Sequence, residues 1–146
     1  MKNFGFNTEI PSLGEPKIVS PFKRHLKPGE AKKRFVSDEA RVIVDVRMDH
    51  LKDSQKKKKK ITSFDPAGPR EKIYFDPSKL KCAIVTCGGL CPGLNDIIRS
   101  IVLELHHIYN VKTIYGIKHG LQGFISEFEH DVIDLNPDVV SGIQNT

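Results

Sequence analysis

Residues 81–99 read Lys-Cys-Ala-Ile-Val-Thr-Cys-Gly-Gly-Leu-Cys-Pro-Gly-Leu-Asn-Asp-Ile-Ile-Arg, and no other stretch restricts the fold so tightly. Cys82 to Thr86 is a short run of small and β-branched residues, the pattern of a strand covered on both faces in a parallel sheet. Leu94, Ile97, Ile98, Ile101, Val102, Leu105 and Ile108 recur at spacings of three and four, which predicts a helix with all seven on one face. Between strand and helix lie Gly88, Gly89, Pro92 and Gly93. Glycine admits positive φ and lets main-chain N–H groups approach a bound group without an intervening Cβ. The helix start adds unpaired donors and the positive end of a dipole, so a phosphate fits the loop as well as a plain tight turn does.

The pattern Gly-Gly-x-x-Pro-Gly lacks the Gly-Lys-Ser/Thr of a P-loop and the Gly-x-Gly-x-x-Gly of a dinucleotide site. Further along, Val111 to Ile117 predicts a second strand, followed by Gly120 and Gly123. Strand, helix and strand with short links make a βαβ unit, whose ligands bind at the carboxyl ends of its strands. Those ends, Cys87 to Gly89 and Lys118 to Gly123, are expected side by side. Val132 to Leu135 predicts a short strand, and Asn136-Pro137 the N-cap and first position of a helix.

The rest of the chain is less ordered in pattern. Met1 to Arg34 carries Pro11, Pro16, Pro21 and Pro28 and no sustained period, as an extended arm would. Arg41 to Arg47 predicts a flanking strand with Val42, Val44 and Val46 on one face. Lys56 to Lys60 is a run of five lysines, expected as a solvated loop; no aromatic residues interleave with it as base stacking would require, so nucleic acid is not the expected partner. Phe64 to Pro77 reads as a proline-rich extended linker. Residues 1–80 hold 19 of the 23 Lys and Arg and 11 of the 18 Asp and Glu, a balance of +8 against −3 for residues 81–146. The expected division is therefore a basic, partly irregular extension over 1–80 and an α/β domain over 81–146.

Cys82, Cys87 and Cys91 are odd in number and fit reduced thiols of a cytoplasmic protein. No second Cys or His pair accompanies Cys87 and Cys91 at zinc-ligand spacing. No apolar run approaches the roughly 18 residues that span a bilayer. His106, His107, His119 and His130 have no carboxylate or cysteine at catalytic spacing, and Arg99 is placed to pair with Asp96 one turn earlier.

The string Val85 to Arg99 resembles the N-terminal signature of the 6-phosphofructokinases, Gly-Gly-x-x-Pro-Gly-Met/Leu-Asn-x-x-Ile-Arg. With Ala67-Gly-Pro-Arg-Glu-Lys-Ile-Tyr-Phe75 ahead of it, the segment is similar to the plant and trypanosomatid-like, ATP-dependent subgroup. The resemblance runs from about Phe35 onward. It implies a Rossmann-like parallel sheet, the start of that family's donor-binding half. It also implies phosphoryl transfer from ATP, with pyrophosphate as the alternative donor, to fructose 6-phosphate in glycolysis, with Mg²⁺ and in a homo-oligomer. Gly88 and Gly89 are the implied donor-phosphate contacts. Gly116-Ile-Lys-His-Gly-Leu-Gln-Gly123 resembles the family's second glycine segment, but Lys118 stands where many bacterial members stack a tyrosine on adenine. That leaves Lys118 as a phosphate contact or a solvated lysine. No position matches the family's Thr-x-Asp-Asn-Asp base motif or a metal ligand set, so no catalytic residue is assigned and the chain is expected to be a fragment without turnover of its own. A noncatalytic nucleotide- or phosphate-binding module is the other reading.

Overall fold

The computed structural model describes residues 8–89 and 91–145, leaving outside it the first seven residues of the expected arm, Leu90 of the glycine loop and Thr146. The chain forms two compact units, one of Met1–Lys17 with Leu26–Tyr74 and the other of Ile18–His25 with Phe75–Thr146.

The second unit holds all the fully buried apolar side chains among the described residues: Val102, Val111, Ile114 and Val140. Its sheet has the strand order Lys81–Val85, Thr113–Ile117, Val132–Asp134. The first two strands are parallel, Lys81 opposite Thr113 through Val85 opposite Ile117. The third is antiparallel, Ile117 opposite Val132, which corrects the expected all-parallel sheet to a mixed one. The cause is the connection. Residues between the second and third strands form two short 3₁₀ turns, Gly120–Phe124 and Ser126–Phe128, with no crossover helix, so the chain returns along the same edge. Gly116 permits this return, since a Cβ there would lie 3.2 Å from Leu135 Cδ1.

Leu94–Leu103 is helical, and Ile98, Val102 and Leu103 pack with Cys82 and Ile84 of the first strand and Ile114 of the second. Ala83 stays exposed, so the first strand is covered on one face where the sequence predicts two. The seven-residue apolar stripe is likewise only partly used: Ile97 is 55% exposed and Ile101 39%. From Glu104 to Ile108 the helix widens into a π turn, closed by Tyr109 N–H donating to the Glu104 carbonyl at 3.2 Å. The extra residue per turn carries Tyr109, rather than Ile108, onto the core. Asn110, at φ +56°, ends the turn. The predicted cap at Asn136 forms: its Oδ1 accepts from Asp138 and Val139 N–H, each at 3.0 Å. The helix itself does not propagate, and a series of turns leads to a 3₁₀ turn at Ile143–Asn145. Asn95 Nδ2 donates to the Ile143 carbonyl at 2.8 Å and fastens this segment to the helix. Arg99 makes no ion pair with Asp96; its Nε is shielded from solvent without a hydrogen-bond partner among the described residues.

In the first unit no described apolar side chain is fully buried, and arginine–carbonyl contacts take the place of a core. Arg70 donates to the carbonyls of Val36, Ser37 and Pro66, and Arg41 holds Ser63 and Asp65. Of the strand predicted over Arg41 to Arg47, only Val42–Ile43 pairs, antiparallel to Ser63–Phe64. Val42, Val44 and Val46 lie on the exposed side, and the chain leaves the ladder at Asp45, whose Oδ1 accepts from Arg47 N–H at 3.2 Å. A helix, Met48–Lys56, precedes the lysine run and ends on its first residue, while Lys57 to Lys60 are exposed turn and irregular chain as expected. It lacks the apolar period that marks a helix in sequence and is supported by Asp49 in its first turn and an Asp53–Lys57 pair at 2.7 Å. Lys58 sits at φ +49°, Lys58 N–H bonds the Gln55 carbonyl and Lys59 N–H the Ser54 carbonyl, a Schellman closure with lysine where glycine is usual. The arm carries short elements at Ile18–Val19, Pro21–His25 and Ala31–Arg34 between its prolines.

Ile114→Ala is expected to destabilise the second unit by about 2–5 kcal/mol, and Ile97→Ala by less than about 1 kcal/mol, read from urea midpoints. In the first unit, hydrogen bonds from Arg47, then His50, hold the Asp45 carboxyl well below the usual carboxylate range. Its contribution is therefore present above the ordinary aspartate pKa and is lost as pH falls towards the depressed value. An NMR titration should show Asp45 as the most acidic carboxyl in this region, moving upward in Arg47→Ala.

Candidate phosphate-binding site

The site grows from the register of the two parallel strands. With Val85 opposite Ile117, both chains leave the sheet at the same level, and their loops meet. A Cβ on Gly120 would lie 3.2 Å from the Thr86 carbonyl oxygen and 3.7 Å from Cys87 Sγ. The carboxyl ends thus lie side by side as the sequence predicts.

Gly88 adopts φ +122° and Gly93 φ +83°, both in the region that glycine favours. Gly93 is the N-cap of the Leu94–Leu103 helix and provides no side-chain cap. Main-chain bonds close the entry, Leu94 N–H to the Cys91 carbonyl at 3.2 Å and Ile97 N–H to the Gly93 carbonyl at 3.1 Å. Around Gly88, Gly89 and Gly93 nothing lies within 4 Å of where a Cβ would be. At Gly89, φ lies outside the left-handed region, so neither backbone strain nor packing within the chain demands a glycine there. The position leaves open the space through which a group could approach the main chain.

Lys118 follows the second strand directly, is exposed and has no ion-pair partner among the described residues. Its ammonium group is a cation available to an anion at the loops. Asp96 supplies one carboxylate in the helix's first turn, so positive charge at the site comes from Lys118 and main-chain donors. Gly123 is required sterically: its Cβ would meet the Lys118 carbonyl oxygen at 2.3 Å. His119, at φ +60°, has its ring centroid 4.2 Å from that of His130, and Phe128 stacks on His130 at 5.8 Å. Among the described residues neither histidine ring makes an ion pair with a carboxylate. His106 and His107 meet edge to face at 4.9 Å, away from the glycine loop on the π turn.

Cys87 and Cys91 are exposed free thiols, while burial pushes the Cys82 thiol up. No group of three or more His, Cys, Asp and Glu side chains fit to hold a metal ion occurs among the described residues. No described helix is long and apolar enough to cross a membrane. Sequence reasoning missed Asn95, whose side chain clamps Ile143.

The second unit is a small α/β fold with a glycine loop and a helix start at the carboxyl edge of its parallel strands. Residues 81–146 match the phosphofructokinase family model. The chain is 43% identical over 143 residues to an ATP-dependent 6-phosphofructokinase of Borreliella burgdorferi, covering 98% of this chain and 31% of that protein. The corresponding enzyme of Amycolatopsis methanolica is 41% identical over 91% of this chain and 29% of its own length. ATP-dependent 6-phosphofructokinase 4, chloroplastic, of Arabidopsis thaliana is 40% identical over 92% and 23%. The chain therefore spans less than a third of the length of each of these relatives.

Gly120→Ala combines a left-handed φ with a close approach to Thr86, and Gly123→Ala an overlap with Lys118; each is expected to cost about 1 kcal/mol or more. Gly89→Ala should stay within about 0.5 kcal/mol of the parent. Thermal melts of the three variants check this ordering.

Proposed function

We propose that the chain forms the phosphoryl-donor-binding part of an ATP-dependent 6-phosphofructokinase, which moves the terminal phosphoryl group of ATP to the 1-hydroxyl of fructose 6-phosphate. The observation that carries this reading is the open main chain at Gly88 and Gly89, ahead of a helix start and beside the Lys118–Gly123 loop, inside the segment that matches the phosphofructokinase family. The names of the relatives favour ATP over pyrophosphate as donor. Relatives in bacteria and plants support the subgroup resemblance, and a cytoplasmic, homo-oligomeric enzyme is part of the proposal.

Phosphoryl transfer asks a protein for position and charge neutralisation more than for covalent chemistry. In this reading Gly88 and Gly89 N–H groups donate to the donor's phosphate oxygens, and Lys118 offsets negative charge from the neighbouring loop. Mg²⁺ would accompany the nucleotide and screen its phosphates, but the described residues present no ligand cluster for it, and no step here depends on protein coordination of the ion. Neither Asp96 nor Asp131, Asp134 or Asp138 lies in a base motif, so the sugar hydroxyl's proton has no acceptor assigned in this chain.

The 146-residue chain is expected to bind ATP in calorimetric titration and to show no fructose 6-phosphate phosphorylation. Gly89→Ala keeps the main-chain N–H but puts a Cβ in the space through which the phosphate approaches; if that costs one charge-assisted hydrogen bond, worth about 1.5–3 kcal/mol, ATP binding should weaken by roughly 10- to 100-fold while the chain melts like the parent. Lys118→Ala, removing an exposed charge, should weaken it by less than about 5-fold. Unchanged affinity in a well-folded Gly89→Ala chain would remove the donor-loop reading.

A further inference from the structure

The third strand of the second unit leaves main-chain groups unpaired at the edge of its sheet. Leu135 N–H donates to the Ile114 carbonyl at 2.7 Å, so these two residues form a hydrogen-bonded pair of the antiparallel ladder. The pattern alternates, and Ile133 opposite Gly116 is the next such pair. Val132 and Asp134, opposite Ile117 and Tyr115, therefore aim their N–H and carbonyl groups away from the sheet. No strand lies on that side among the described residues.

The side chains beside this edge are apolar and acidic. Phe124, Phe128 and Val132 are 59%, 52% and 51% exposed. Two contacts gather them. A Cβ on Gly123 would lie 2.5 Å from Ile117 Cγ2, which sets the turn carrying Phe124 against the residue that faces Val132. Phe128 stacks on His130, whose ring meets that of His119 just after the second strand. Residues 119–146 hold five Asp and Glu and no Lys or Arg. Of these, Glu129, Asp131 and Asp134 are exposed and make no ion pair among the described residues. Single exposed apolar side chains need no explanation, but a group of them beside carboxylates and an open strand edge calls for a partner that complements all three.

We propose that Val132–Asp134 is a docking edge for an extended, basic polypeptide segment, which adds to the sheet as a fourth strand. Main-chain hydrogen bonds to Val132 and Asp134 supply affinity, and side chains at alternate positions supply specificity. Directly paired residues of neighbouring strands put their side chains on the same face. The partner residue beside Val132 is then apolar, and the one beside Asp134, two positions along, is Lys or Arg. Charge selects this occupant: an acidic or neutral strand offers the same main chain but leaves the carboxylates unmatched. Docking here involves neither the glycine loop nor nucleotide, and so stands apart from the donor-loop reading.

The test titrates the nitrogen-15-labelled 146-residue chain, without nucleotide, with the peptide Lys-Thr-Val-Thr-Lys-Thr-Val-Thr-Lys, whose lysines and valines share one face of a strand. The Val132 and Asp134 amide signals are expected to shift, and binding to weaken by about 3-fold or more between about 50 mM and about 500 mM salt. Asp131→Asn with Asp134→Asn removes charges that pair with nothing in the chain; this variant should melt like the parent and lose about 3-fold or more in affinity. A peptide with Glu in place of each Lys should not bind. Of two N-methylated peptides, one blocked at its valines and central lysine and the other at its threonines, only one should bind, since a strand adds through a single edge. Loss of binding in both, or in neither, overturns strand addition. Equal binding of the Glu peptide, or shifts confined to residues outside 121–134, overturns the docking surface. Concentration-dependent self-association that shifts the same amides and excludes the peptide makes a second copy the occupant and overturns the basic partner.

Discussion

The parallel pairing of Lys81–Val85 with Thr113–Ile117 is the constraint from which the rest of the second unit follows. Because these strands run in the same direction, their carboxyl ends fall at one edge, and two loops distant in sequence become neighbours. The connection must cross back over the sheet, and the helix that does so starts at the glycine loop and buries Val102 against Ile114. Had the register slipped by one residue, the alternation along the strand would have turned Ile114 out of the core. Site and core therefore depend on the same set of main-chain hydrogen bonds.

The two units use different means of cohesion. In the second, apolar side chains from the helix, the sheet and the segment around Val140 share one cluster. In the first, guanidinium groups gather carbonyl oxygens from separate turns, as Arg70 does for Val36, Ser37 and Pro66. Such contacts satisfy the main chain at bends where no ladder continues, yet most involve exposed groups and add little net stability. The lysine run fits this economy of polar contacts: Lys57 pairs with Asp53 and Lys60 with Glu9, and the remainder face solvent.

Within the site, glycines that look equivalent in sequence have different reasons to be there. Gly93 and Gly120 meet a backbone conformation, Gly123 and Gly116 a steric limit, and Gly89 neither. At Gly89 the chain's own packing leaves the space in front of the main chain open.

The strand, glycine turn and helix over residues 81–108, the second strand and the nearness of Cys87 to Gly120 are legible in the residues alone, because periodicity and turn chemistry are local and strongly patterned there. The string Val85 to Arg99 also carries the family resemblance. The remaining features depend on contacts between segments distant in the chain. The third strand runs antiparallel because residues 118–131 fold into short 3₁₀ turns with no crossover helix, which no periodicity in Val132 to Leu135 can express. The helix Met48–Lys56 forms ahead of the lysine run because an ion pair and a Schellman closure at its end outweigh the missing apolar period. The valines at 42, 44 and 46 alternate as a buried face would, yet lie exposed, since burial depends on what packs against a strand and not on its own pattern. The same reason governs the apolar stripe on the Leu94–Leu103 helix: its chemistry is written in the residues, but which of them reach a core is set by the sheet beneath.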